Sequence, residues 1–110
     1  LDAAPFAAIA AGRKTVELRV NDAKRRAVEI GDTVLFQHRT DTTRTLLVRI
    51  TDILRAPDFE ALVKQYPPAR LGVDAVGAAA LVLRLNRAYG VAEQEECGCV
   101  GLGFALLRAS

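Results

Sequence analysis

The chain contains no tryptophan and no methionine, and its aromatic residues amount to 5%. A general single-strand binder stacks successive bases on aromatic side chains. Here Phe36, Tyr66 and Tyr89 are the candidate platforms, and Phe36 and Tyr66 fit core-facing positions better, which argues against that mode. There are two cysteines, Cys97 and Cys99, and one histidine, His38. A structural zinc site needs a full tetrahedral set of nitrogen or sulfur ligands. This set does not supply one, even with Glu93, Glu95 and Glu96 nearby, so neither a metal nor a cofactor is expected. A disulfide between residues so close in the chain is strained, and both cysteines read as free thiols of a reducing, cytoplasmic compartment. His38 stands at a strand end, where it reads as an exposed polar residue or as an acid–base group. No Ser-His-Asp or Cys-His grouping is supported by spacing. No apolar run approaches the ~18–20 residues that span a bilayer, and no charged start precedes an apolar leader. No membrane partner is therefore expected. The chain starts at Leu1 and not at a methionine, consistent with a trimmed chain that lacks an N-terminal strand.

What is present is an ordinary globular composition: 110 residues, 51% hydrophobic and 25% charged, with a net charge of +2. That length suits one domain with one core, residues 1–110. The positive charge is unevenly placed. Residues 1–26 hold Arg13, Lys14, Arg19, Lys24, Arg25 and Arg26 against Asp2, Glu17 and Asp22, while the remainder is nearly balanced. Such a cluster attracts phosphates and other anions.

Hydrophobic periodicity gives a coarse map. Residues 4–11 predict a short helix with Phe6 and Ile9 on one face and Gly12 as its stop. Residues 14–20 predict a strand, 33–38 a second with Val34 and Phe36 on one face, and 45–53 a third with Leu46, Val48 and Ile50 inward. Asp22 suits a cap over a polar turn. Pro57 opens a helix over 57–66 that buries Phe59, Leu62, Val63 and Tyr66. Asp74 caps a second helix over 75–88, with Val76, Ala80, Leu83 and Arg87 as one stripe and Leu81, Val82 and Leu85 widening it. A polar stretch at 93–96 precedes a last strand over 100–107. There Val100, Leu102, Phe104 and Leu106 share one side, and Gly101 and Gly103 on the other permit close approach. No tandem βαβ pattern with a glycine phosphate loop appears. The map is α+β: a small curved sheet or barrel flanked by helices.

The strand at 14–20 carries the sharpest chemical signal. Alternation puts Val16, Leu18 and Val20 on one face and Thr15, Glu17 and Arg19 on the other. A hydroxyl, a carboxylate and a guanidinium in a row suit the wall of a site. Lys14 reads as a phosphate contact, as a base if desolvated, or as a solvated lysine. Glu17 reads as a general base or, better, as the partner that orients Lys14 and Arg19. Arg19 offers a planar fork for a phosphate or a base edge, or pairs structurally with Glu17 or Asp22. Lys24 and Arg25 stand either at the mouth of a cleft or on a solvated face.

These residues also carry a resemblance. Gly12-Arg13-Lys14-Thr15-Val16-Glu17-Leu18-Arg19, followed by Asn21-Asp22, Lys24-Arg25 and Ile30-Gly31-Asp32, resembles the ASCH domain family; Phe59-Glu60, Leu71-Gly72, Tyr89 and Gly98 to Gly101 add weaker matches. The resemblance implies a small PUA-like β-barrel with flanking helices and a cleft for RNA, nucleotides or modified nucleosides. Some relatives are amidohydrolases acting on acetylated cytidine, with a Gly-Arg-Lys-Thr-x-Thr motif and a later glutamate. Lys14 matches their lysine. Glu17 stands at the nucleophile position, however, and residues 75–85 are rich in alanine and leucine where the acid is expected. The leading expectation is a domain that binds RNA or a nucleotide-like ligand, with no DNA specificity, through Lys14, Thr15, Glu17, Arg19, Lys24 and Arg25. The alternatives are a small hydrolase using Lys14 and Glu17, and a protein-interaction module marked by an apolar patch on the helix at 75–88.

Overall fold

A computed structural model describes all residues, 1–110. Its framework is one antiparallel sheet of four strands, β1 (Val16–Val20), β2 (Thr33–Gln37), β3 (Thr45–Ala56) and β4 (Cys99–Ala109), in the spatial order β1-β4-β3-β2. The helices are α1 (Ala3–Ala10), α2 (Ala23–Arg26), α3 (Phe59–Val63), α4 (Ala75–Ala88) and α5 (Val91–Cys97). The sheet curls, but β1 and β2 lie at opposite edges and do not pair. The expected barrel is therefore an open half-barrel. Just before β1 the chain is held by the turn after α3: the Thr15 N–H donates to the Arg70 carbonyl at 2.8 Å, and Lys14 bridges Leu71.

Each face of the sheet buries its own cluster. Phe6 and Ile9 of α1 pack with Leu46, Val48, Ile50, Val100, Leu102 and Phe104. On the other face Val16, Leu18 and Val20 meet Phe59, Leu62, Val63, Tyr66 and Leu71. The local signals act as expected. α1 ends in Gly12 at a φ of 76°, with Arg13 N–H donating to the Ala8 carbonyl and Gly12 N–H to Ile9, the paired bonds of a glycine-terminated helix. Asp22 and Asp74 accept the Arg25 and Gly77 N–H groups as N-caps. The helix expected over 57–66 is shorter and opens differently: Asp58, not Pro57, caps it by accepting the Ala61 N–H, and α3 ends at Val63.

Four further sequence expectations are corrected. β3 runs past residue 53 to Ala56, where it still pairs with Cys99 of β4, and a bulge between Ile50 and Asp52 slips its register by one residue. Such a slip exchanges the faces, so Ile50 points to the α1 cluster while Asp52 and Leu54 stand over Gly103 and Gly101. The polar stretch at 93–96 is part of α5, whose Gln94 is buried and bonded to Asn86 and the Tyr89 carbonyl. His38 is buried: its ring meets Phe6 edge-on at 5.1 Å, and its Nδ1 accepts the Asp41 N–H at 3.1 Å. In α4 it is Ala78, Leu81, Val82 and Leu85 that pack inward, leaving Val76 and Leu83 82% and 61% exposed. The helix is rotated by the demands of α3, which meets only one of its two apolar stripes.

The bulge has a structural product. Asp52 takes both terminal nitrogens of Arg70, at 2.9 and 3.3 Å, while Arg70 Nε donates to Thr15 Oγ1 at 3.2 Å. Gly103 leaves the space that this carboxylate occupies; a Cβ there would collide with it. The Arg70 hydrogen bonds hold the Asp52 pKa below its ordinary 3.8, against the opposing effect of burial. Folded Asp52 thus binds a proton less readily than unfolded Asp52, so the pair contributes stability above about pH 4 that is lost as pH falls through the folded pKa. Denaturation of the natural chain and of Asp52→Asn across pH 2–7 is expected to show a stability gap that closes on acidification; a constant gap would contradict this.

Candidate functional site

Lys14, Glu17 and Arg19 are held by backbone before they meet as side chains. The Lys14 N–H donates to the Ala8 carbonyl at the end of α1, and its Cβ lies 3.3 Å from where a Cβ on Gly72 would stand. Lys14 is thus gripped between α1 and the turn after α3, at the mouth of β1. Glu17 and Arg19 follow inside the strand, where pairing with Leu102 and Val100 fixes their direction.

Glu17 is only 7% exposed. A buried carboxylate is costly unless paired, and here it has cations on both sides. Lys14 Nζ donates to Oε1 at 3.3 Å, and an Arg19 terminal nitrogen lies 3.7 Å from Oε2. The other Arg19 terminal nitrogen donates to the Tyr89 hydroxyl at 3.3 Å. Burial opposes the Arg19 charge, but Glu17 and Tyr89 outweigh it and hold its pKa above the ordinary arginine value. The Tyr89 ring leans on Phe59, their centroids 5.5 Å apart, so the hydroxyl is anchored from the core.

These groups line a cavity of about 340 Å³ bounded by Asp2 and Pro5 of the α1 segment, Arg39, and Leu85 and Ala88 of α4. A neighbouring hollow of about 570 Å³ shares Asp2, Pro5, Lys14, Leu85 and Ala88 and adds Arg13 and Arg84. Together they form one cleft between α1, β1 and α4. Its acids are both engaged, Glu17 as above and Asp2 by Arg39 at 3.0 Å. The other hollows differ in charge. A groove of about 440 Å³ between α3 and α4 is lined by Val63, Ala78, Ala79, Val82 and Leu83, with the Glu60–Lys64 ion pair at its lip. A hollow of about 610 Å³ beside α5 carries Asp58, Glu60 and Glu95. Only the cleft over Lys14 suits an anionic ligand.

The sequence candidates divide accordingly. Lys14, Glu17 and Arg19 come together in the cleft. Thr15 does not line it: its hydroxyl is taken by Arg70 on the other side of the sheet. Arg25 pairs with its own cap Asp22 at 3.2 Å, and neither Lys24 nor Arg25 lines the cleft. Tyr89 is at the site through its hydroxyl, while Arg39 and Arg84 arrive from segments with no local signal. Cys99 lies in the core, where burial pushes its thiol up to about 11, and no three His, Cys, Asp or Glu side chains gather to hold a metal.

The curled four-strand sheet and its five helices define a small α+β domain. The ASCH domain family model matches residues 1–100, and the chain belongs to that family, which is generally associated with RNA binding. Hypothetical protein PH0355, known from a crystal structure, superposes with a TM-score of 0.80 at 21% identity, covering 97% of this chain and 94% of that one. Protein PF0455 from Pyrococcus furiosus, solved by NMR, gives 0.69 at 22% identity, with 98% and 94% covered. Both show the same fold. No curated protein matches the chain.

The grip on Lys14 is testable with two glycines. Gly12 and Gly72 share a left-handed φ of 76°, but a Cβ meets nothing within 4 Å at Gly12 and meets Lys14 at Gly72. Alanine at Gly12 is expected to cost about 1–2 kcal/mol of backbone strain, and alanine at Gly72 more than that. Urea denaturation measures both; equal losses would show that Lys14 yields freely.

Proposed function

We propose that this ASCH domain binds RNA or a nucleotide-like ligand in the cleft between α1, β1 and α4. Lys14 and Arg19 meet the ligand, and Glu17 orients them. The observation that carries the reading is the convergence of Lys14, Arg19 and Arg39 on a hollow whose acids are already paired. The scarcity of rings at the cleft, where Tyr89 is the one aromatic side chain, favours phosphate and base-edge contacts over a stacking platform. Concave, partly apolar sites of a few hundred Å³ are ordinary for small ligands. A hydrolytic role for Glu17 is less well supported. Its Oε1 is committed to Lys14, and α4 offers no acid to serve as a partner.

Fluorescence anisotropy with a labelled RNA decamer tests this. Binding by the natural chain is expected to weaken with salt, and Lys14→Ala with Arg19→Ala is expected to bind at least about tenfold less tightly, as loss of charge-assisted hydrogen bonds implies. Lys24→Ala with Arg25→Ala reports on a contribution at the rim, and a change under about twofold is expected, since Lys24 is exposed and Arg25 is paired with Asp22 away from the cleft. No binding by the natural chain at low salt would overturn the reading.

A further inference from the structure

We infer that the hollow beside Arg13 and Arg84 is a second anion-binding lobe, which takes the phosphate of a neighbouring nucleotide, so that the smallest RNA ligand filling the cleft is a dinucleotide. This rests on the RNA-binding reading. The two hollows share Lys14, which stands at the waist between them. Arg13 follows α1 and Arg84 lies on α4, so the lobe takes a cation from each wall of the cleft. Neither forms an ion pair; the six pairs in the molecule involve other residues. The one acid in the lobe, Asp2, is held by Arg39. Leu71, Leu81 and Leu85 give it apolar walls against which a ribose or base can lie. The other cationic side chains without ion-pair partners, Arg49, Arg55 and Arg87 among them, line none of the hollows described above. It is the combination of free cations, a concavity and continuity with Lys14 that singles out Arg13 and Arg84.

The test compares the four nucleoside 5′-monophosphates, 5′-phosphorylated dinucleotides and an RNA decamer, with Arg13→Ala/Arg84→Ala beside Lys14→Ala/Arg19→Ala. The first variant is expected to bind dinucleotide and decamer about tenfold less tightly and monophosphates within about twofold of the natural chain. Its salt slope for the decamer is expected to fall by about 0.7, as one lost phosphate contact on a single strand implies. Arg13→Lys/Arg84→Lys is expected to restore most of that slope, since the charge is kept. The second variant is expected to weaken all the ligands. Decamer binding that depends on Lys14 and Arg19 but not on Arg13 and Arg84 would overturn the second lobe alone. Equal losses for monophosphate and dinucleotide in the first variant would do the same. Failure of the natural chain to bind any of them at low salt would overturn the RNA reading and the lobe with it.

Discussion

A carboxylate taken out of water has to be matched, and the rest of the site is arranged around that need. Glu17 lies buried within β1, with Lys14 Nζ 3.3 Å from one of its oxygens and an Arg19 nitrogen 3.7 Å from the other. The two cations would otherwise repel one another. With Glu17 between them they stand together at the floor of a concavity, turned toward whatever enters it. Each is secured further from outside the strand, Arg19 by the Tyr89 hydroxyl and Lys14 by the packing of Gly72 and the end of α1.

That arrangement depends on a feature on the far side of the sheet. The bulge in β3 turns Asp52 over Gly103, Asp52 holds Arg70, and Arg70 holds Thr15 by its side chain and its carbonyl. The turn that carries Arg70 also carries Leu71 and Gly72, the residues against Lys14. An ion pair that looks purely structural therefore sets the position of the first residue of the cleft.

The strands, the helix around Phe59 and Leu62 and the aspartate caps were legible because they depend on local pattern: alternation, helical spacing and an acceptor before the first turn. Lys14, Glu17 and Arg19 were legible for the same reason, since one strand carries them all. What was not legible depends on partners distant in the chain. The Thr51 bulge leaves no mark in composition, yet it reverses the face of every later residue in β3. Thr15 alternates onto the polar face but is captured by Arg70. Val76 and Leu83 form as good a stripe as Leu81 and Leu85, and only the position of α3 decides between them. Arg39 and Arg84 reach the cleft by topology alone.

Charge, more than size, distinguishes the cleft from the molecule's other hollows: one of those is apolar and another is acidic. The most direct measurement is therefore a map of contacts on the protein itself, by following amide and arginine side-chain NMR resonances as a short RNA is added. Shifts concentrated at Lys14, Glu17, Arg19, Tyr89 and Arg84 are the expected result. Shifts confined to Val63, Ala79 and Leu83 in the apolar groove, or to Lys24 and its neighbours, with the cleft unmoved, would contradict it.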